Sequence, residues 1–100
     1  MNKRQRIKEI KEEIGYYKPK KQIVNAMLQL GELGFEFSGH GCGSGGEDFN
    51  LIHCDNNLYV NFCDLGRIVV ATVYVEDDCK EIFKGTIGKT LKFISKQIEN

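Results

Sequence analysis

Four side chains in the middle of the chain have the chemistry of a metal site. His40 and Cys42 are separated by one residue, and His53 is followed directly by Cys54. Zinc favours four His or Cys ligands in tetrahedral geometry. Adjacent residues on a regular strand point to opposite faces, so His53 and Cys54 cannot both be ligands there. We therefore predict no metal site and no cofactor, with His40 in a loop and His53 on a sheet face.

His40 and Cys42 are also the one pairing with the residue types of a thiol enzyme. A cysteine nucleophile needs a nearby base and a positive environment to form the thiolate. The flanking Glu36, Glu47 and Asp48 are acidic and disfavour that form. The sequence therefore favours a protein that is not an enzyme. A small thiol- or metal-dependent enzyme at His40 and Cys42 stays open as an alternative.

The glycine run, residues 39–46, carries both of these side chains. Five of its eight residues are glycine, and glycine loses more conformational freedom on folding than any other residue. Residues 41–46 match the dinucleotide-binding pattern G-x-G-x-x-G, but that fingerprint requires a helix directly after the glycines. Residues 48–54 instead alternate as a strand does. We interpret the run as a conformationally permissive hairpin connection, either without a ligand or in contact with a macromolecular partner.

Two helices are predicted before the glycine run. Apolar residues at helical spacing predict a basic amphipathic helix over residues 3–14 that Gly15 ends. Within residues 1–15 this helix is predicted to be mobile or to contact a partner. Pro19 suits a first helical position, and the apolar stripe behind it predicts a second helix that Gly31 or Gly34 ends.

Strands are predicted in the middle of the chain. Residues 33–37 can form a short strand, and residues 48–54, 58–64 and 68–75 predict an antiparallel meander. The segments 55–57 and 65–67 carry the turn residues that separate these three strands.

A third helix is predicted at the end of the chain. Asp78 to Glu81 resembles a capping box, and an apolar stripe runs on from Phe83 to Ile98. Gly85 predicts a break in this helix, with Thr86 able to cap the helical segment after the break. The predicted fold class is α+β in the order ααββββα, a three- to four-stranded antiparallel meander packed on helices. Residues 1–100 are predicted to form a single domain.

Composition predicts a cytosolic protein that does not cross a membrane. The chain is 41% hydrophobic and 28% charged, and no apolar stretch approaches the roughly 18–20 residues needed to span a bilayer. The first residues are polar and basic rather than a signal peptide. In that compartment thiols stay reduced. We therefore predict free thiols at the four cysteines, Cys42, Cys54, Cys63 and Cys79.

Charge is segregated along the chain although the net charge is zero. Residues 32–81 carry ten Asp or Glu against two Lys or Arg, and both ends of the chain are basic. An acidic sheet rim can occupy a basic surface on a partner, and small α+β proteins of this kind are common as inhibitors encoded by phages and mobile elements. We therefore predict a non-catalytic binding or inhibitor-type protein that contacts a basic protein through Gly39, His40, Gly41, Cys42, Gly43, Ser44, Glu47, Asp48 and Asp55.

The basic amino-terminal part favours a second hypothesis, nucleic-acid binding. Lysines and arginines neutralise phosphates, and tyrosines stack on bases. The residues of this hypothesis are Lys3, Arg4, Arg6, Lys8, Lys11, Tyr16, Tyr17, Lys20 and Lys21. The order of helix, antiparallel strands and helix is similar to the layout of double-stranded-RNA-binding domains and small HicA-type toxins. Asp77, Asp78 and Glu81 replace a basic cluster at the last predicted helix, so no functional residue is transferred.

Overall fold

The computed structural model describes Gln5, Lys8 and residues 20–43, 46–75, 77 and 79–99, with the backbone alone at 40–43, 46 and 99. Within these residues the fold is α+β with an antiparallel meander, as predicted. The sheet has five strands in the order β1-β2-β3-β4-β5, rather than three or four. The elements are α1 (Lys21–Glu32), β1 (Glu36–Gly43), β2 (Gly46–His53), a 3-10 helix (Cys54–Asn56), β3 (Leu58–Asp64), β4 (Val69–Val75), β5 (Lys80–Gly85) and α2 (Ile87–Glu99).

Strand β5 occupies the segment where the sequence predicted the start of the last helix, and that prediction was wrong. Cys79 adopts a positive φ of 53°, which a right-handed helix does not contain. After it, Lys80 pairs with Val75 and Phe83 pairs with Val73. The ring of Phe83 also stacks on Phe93 of α2, with centroids 4.6 Å apart. Pairing with the edge of β4 therefore decided the structure of a segment whose apolar spacing is helical.

A boundary lies at Gly85 as predicted, but it separates a strand from a helix rather than two helical segments. β5 ends at Gly85, and α2 begins two residues later. The backbone N–H of Lys89 donates to Thr86 Oγ1 at 3.4 Å, so the Thr86 side chain caps α2 as predicted.

Gly34, rather than Gly31, provides the stop after α1. It has a φ of 102°, a conformation that glycine adopts at little cost. The N–H of Gly34 donates to the Gly31 carbonyl at 3.1 Å, and the N–H of Phe35 donates to the Leu30 carbonyl at 3.0 Å. These two bonds form a Schellman motif, which turns the chain from α1 toward β1.

Most of the glycine run is strand rather than loop. β1 continues to Gly43, which pairs with Gly46 at the start of β2. The two-residue connection, Ser44 and Gly45, lies outside the described residues. Backbone pairing with β2 needs no side chains on β1, so the low strand preference of glycine does not prevent it. The predicted hairpin is present, but the predicted connection was too long.

One face of the sheet packs on the two described helices. Alternate residues of β2, β3 and β4 are buried in a common core with α1 and α2. Core residues of the sheet are Phe49, Leu51, Leu58, Val60, Phe62, Ala71 and Val73. The intervening residues form the opposite face, which we call the open face.

The structure describes two residues of the predicted first helix, Gln5 and Lys8. Both have a helical backbone and an exposed side chain. The remainder of residues 1–19, including Pro19, lies outside the described residues. Among the helices that the structure describes, none is long and apolar enough to cross a lipid bilayer.

Candidate functional site

Three rows of side chains cross the open face, because directly paired residues of neighbouring strands point the same way. One row contains Ile52, Tyr59 and Tyr74. A second contains Asn50, Asn61 and Thr72, and a third contains Asp48, Cys63 and Val70. Members of all three rows border a groove of about 700 Å³, which we call the open-face groove; its lining includes Asp48, Asn50, Ile52, Tyr59, Asn61 and Tyr74.

Two tyrosines form the aromatic part of the groove. The ring centroids of Tyr59 and Tyr74 are 6.0 Å apart, with planes tilted by 60°. Burial raises the pKa of Tyr59, and the charge of Asp48 adds to the shift. Both effects keep the Tyr59 phenol protonated. The groove therefore presents a neutral ring with a hydrogen-bonding hydroxyl, and a carboxylate, Asp48, two rows away.

Two asparagines fix the polar part of the groove. Asn61 Nδ2 donates to Asn50 Oδ1 at 2.7 Å. An asparagine amide has two donor hydrogens and a carbonyl with two lone pairs, so this bond uses part of the capacity of each side chain. The pair is a preorganised platform with hydrogen-bonding capacity for a ligand.

Cys63 in the third row is a thiol rather than a nucleophile. Burial raises its pKa, and a hydrogen bond to Asp48 and the charges of Asp48 and Asp64 raise it further, against the charge of Lys84. The thiolate is the reactive form of cysteine. The raised pKa therefore keeps Cys63 in the less reactive thiol form.

Glycines leave the β1 end of two rows without side chains. Gly39 pairs with Asn50, and Gly41 pairs with Asp48. A Cβ added to Gly39 would meet no atom within 4 Å. Within the described residues the Asn50 row is therefore open on the β1 side at Gly39, next to Ser38, which also borders the groove.

The structure separates the acidic residues that the sequence analysis grouped. Asp48 borders the groove, whereas Glu47 is its neighbour on the strand and points to the other face. Asp55 lies in the 3-10 helix beyond the opposite end of β2, and the six residue steps from Glu47 to His53 span about 20 Å. Of the three predicted acidic contacts, Asp48 alone lies in the groove.

The other predicted contact residues belong to the hairpin. The backbone of His40 pairs with Phe49, Cys42 pairs with Glu47, and Gly43 pairs with Gly46. Ser44 lies outside the described residues.

His53 has a structural role at the end of β2. It is 6% exposed, and its Nε2 lies 2.9 Å from the Leu33 carbonyl oxygen. Since a carbonyl can only accept, Nε2 donates and Nδ1 accepts. Nδ1 receives the backbone N–H of Asn56 at 3.2 Å and lies 3.3 Å from its side-chain amide. Both ring nitrogens are therefore used inside the fold.

Cys54, the neighbour of His53, is exposed in the 3-10 helix, and Cys54 and Cys63 are free thiols. In the part of the chain that the structure describes, no three His, Cys, Asp or Glu side chains are grouped so that they could hold a metal ion. The side chains of His40 and Cys42 lie outside that part.

The structure describes three of the residues predicted for nucleic-acid binding. Lys8 and Lys21 are exposed, whereas Lys20 Nζ pairs with Asp64 Oδ1 at 3.0 Å and donates to the Gly66 carbonyl. Lys20 is therefore committed to the turn between β3 and β4. Six residues of this hypothesis lie outside the described residues: Lys3, Arg4, Arg6, Lys11, Tyr16 and Tyr17.

Sequence reasoning missed Asn50, Tyr59, Asn61 and Tyr74 as site residues. A signal was present, because the predicted alternation of residues 58–64 puts Tyr59 and Asn61 on the face opposite Leu58. Comparison of the chain with protein-family models, curated proteins and solved structures found no match. Evidence on function therefore comes from the residues of this chain.

Proposed function

We propose that this protein is a non-catalytic binding protein whose open face holds a basic segment of a protein partner. The observation that carries the proposal is that a carboxylate, Asp48, and a tyrosine ring, Tyr59, border the same groove. The surrounding sequence strengthens it, since residues 22–66 contain six Asp or Glu and no Lys or Arg. Negative charge on one partner steers and orients a positive partner, and Asp48 is the acidic residue of this stretch that borders the groove.

The chemistry of the groove favours arginine. A guanidinium group packs on a tyrosine ring and forms two parallel hydrogen bonds to a carboxylate. Tyr59 and Asp48 offer both kinds of contact within one groove, and the Asn50–Asn61 pair offers further amide groups. Lysine keeps the charge but loses the planar geometry. We therefore expect a partner segment that contains arginine.

An inhibitor-type role in the cytosol belongs to the same proposal. A small protein that covers a basic surface excludes nucleic acid from that surface by charge complementarity. Such a role needs a preorganised face and no catalytic group.

The test is charge reversal at Asp48. The probe is a fluorescent nona-arginine peptide, and binding is measured by anisotropy at fixed salt concentration. We expect Asp48→Lys to weaken binding at least tenfold. The matched control, Asp55→Lys, reverses an exposed charge outside the groove and is expected to change affinity less than twofold. Equal effects of the two substitutions, or no binding by the wild-type protein, would contradict the proposal.

Nucleic-acid binding is the alternative proposal, supported by exposed Lys8 and Lys21. It predicts binding of a short RNA or DNA duplex that weakens steeply as salt rises. Under this alternative Lys21→Glu weakens binding, whereas Asp48→Lys leaves it unchanged or strengthens it.

A further inference from the structure

The two edges of the sheet differ in how they are protected. Exposed outer strands pair with strands of other chains unless charged side chains, bulges or covering elements prevent it. Strand β5 carries exposed Lys80, Glu81 and Lys84. Strand β1 carries the acidic Glu36 and, from Gly39 onward, no charged residue. Within the described residues no strand pairs with the outer side of β1.

The irregular part of β1 lies at its beginning. The register with β2 shifts between Phe37 and Gly39, which makes a bulge at Ser38. From Gly39 to Gly43 the pairing with β2 is regular. A regular strand presents alternate backbone N–H and C=O groups on its outer side, so this stretch has the geometry to accept a further strand.

Gly39 directly follows the bulge at Ser38, and neither a positive φ nor a close contact requires glycine there. Gly39 does not have the positive φ that Gly34 and Gly66 adopt, and a Cβ there would meet no atom within 4 Å. Yet glycine in a strand interior is destabilising because it adds entropy to the unfolded chain and no packing to the folded one. Glycine in a strand marks either a bulge or a place where a ligand or another backbone approaches, and Gly39 both follows the bulge and leaves its row clear.

At Gly39 and Gly41, β1 has no side chain between its outer edge and the polar residues of the groove. Neighbouring strands are about 4.8 Å apart, so a strand added outside β1 would lie about 10 Å from β2. A long side chain on the added strand can pass over Gly41 and reach Asp48. The next side chain on the same face of that strand can pass over Gly39 and reach Asn50. A side chain on β1 at either position would stand in that path.

We propose that β1 binds an extended strand of the partner, with arginine at alternate residues that face the groove. The inference rests on the proposed function and adds the binding mode to it: backbone hydrogen bonds to β1 supply affinity, and arginine side chains reaching Asp48 and Asn50 supply specificity. Charge selects this occupant, because Glu36 lies on β1, Asp48 lies in the groove next to β1, and residues 22–66 carry no positive side chain.

The decisive variant is Gly39→Val. Valine favours strands, so we expect the variant to fold with equal or higher stability while its side chain blocks the row. The probe is an eight-residue peptide of alternating arginine and valine, and we expect its affinity to fall at least tenfold. Lys84→Val is the matched control, since Lys84 lies at the far end of the same row; it should bind the peptide at least as tightly as wild type.

A second probe isolates the backbone bonds. The same peptide, N-methylated at every second backbone amide, keeps its charge. It can no longer donate backbone hydrogen bonds from the edge that carries the methyl groups. Two such peptides are compared, one methylated at the odd-numbered amides and one at the even-numbered amides. Strand addition predicts that the peptide whose methyl groups face β1 shows no measurable binding. A peptide of alternating glutamate and valine is the charge control and should not bind.

The outcomes separate the binding mode from the proposed function. If Gly39→Val and both methylated peptides bind like wild type while Asp48→Lys weakens binding, strand addition is overturned and the proposed function stands. If the wild-type protein binds no arginine peptide, both fail. If the protein alone forms a dimer that Gly39→Val dissociates and the peptide does not, the occupant is a second copy and the proposed basic strand is overturned.

Discussion

The two faces of the sheet are built from alternate residues of the same strands, yet they differ in what their side chains contact. On β2, Phe49 and Leu51 are at most 2% exposed and pack in the core, whereas Asp48 and Asn50 line the groove. The residues on one side of β2 therefore stabilise the core, and those on the other side are candidates for binding a ligand. Substitutions on the two faces should therefore have separable effects.

The largest expected difference is between two aromatic residues of β3. Phe62 is fully buried in the core, and truncating such a residue to alanine costs about 3–5 kcal/mol. Tyr59 lies on the open face, and we expect Tyr59→Ala to cost about 1 kcal/mol or less while weakening arginine-peptide binding. Urea denaturation measures both. Similar losses of stability in the two variants would remove the distinction between the faces.

Two glycines provide the second comparison. A Cβ at Gly34 would lie 2.8 Å from His53 Nε2, at a φ of 102°, where a non-glycine residue is strained. We expect Gly34→Ala to lower the free energy of unfolding by about 2–3 kcal/mol, because it also displaces His53 from the Leu33 carbonyl. Gly39→Ala should stay within about 0.5 kcal/mol of wild type. Equal effects in thermal unfolding would contradict this account of both glycines.

The smallest expected difference is between two aspartates at one end of the sheet. Burial alone would raise the pKa of Asp64, but the hydrogen bond from Gly66 N–H at 2.9 Å and the Lys20 ion pair outweigh it and hold that pKa below its ordinary value. Asp64 thus stabilises the fold, whereas Asp48 faces the groove. We expect Asp64→Asn to cost about 0.5–1 kcal/mol at pH 7, and Asp48→Asn to cost less.

The pH dependence of this difference has a definite sign. The stabilisation by Asp64 is fully present above the pKa of an unfolded aspartate, about 3.9. It is lost as pH falls from there through the lower pKa of the folded state. Melting temperatures of wild type and Asp64→Asn should therefore converge between pH 4 and pH 2, by roughly the full neutral-pH gap. A gap that persists unchanged at pH 2 would assign the effect of Asp64 to packing.

Local signals in the sequence predict the parts of the fold that depend on local chemistry. Alternation placed Phe49, Leu51 and His53 on one face, and all three are buried. The turn segments contain Asn57 and Gly66, and both have positive φ.

Long-range pairing decides what the sequence could not predict. Phe83 lies four residues before Ile87, as on a helix, but pairing with β4 made its segment a strand. Likewise, Tyr59 and Tyr74 meet because of the register between β3 and β4, and residue spacing along the chain does not contain that register. The groove could therefore be located only after the sheet was known.

An NMR titration of the ¹⁵N-labelled protein with the alternating arginine–valine peptide tests whether β1 and the groove bind a basic strand. We expect the largest amide shift changes in β1 and at Asp48, Asn50, Tyr59 and Asn61, with core-face and α2 amides nearly unchanged. Shift changes confined to residues 3–21, or absent at peptide concentrations in the millimolar range, would contradict it.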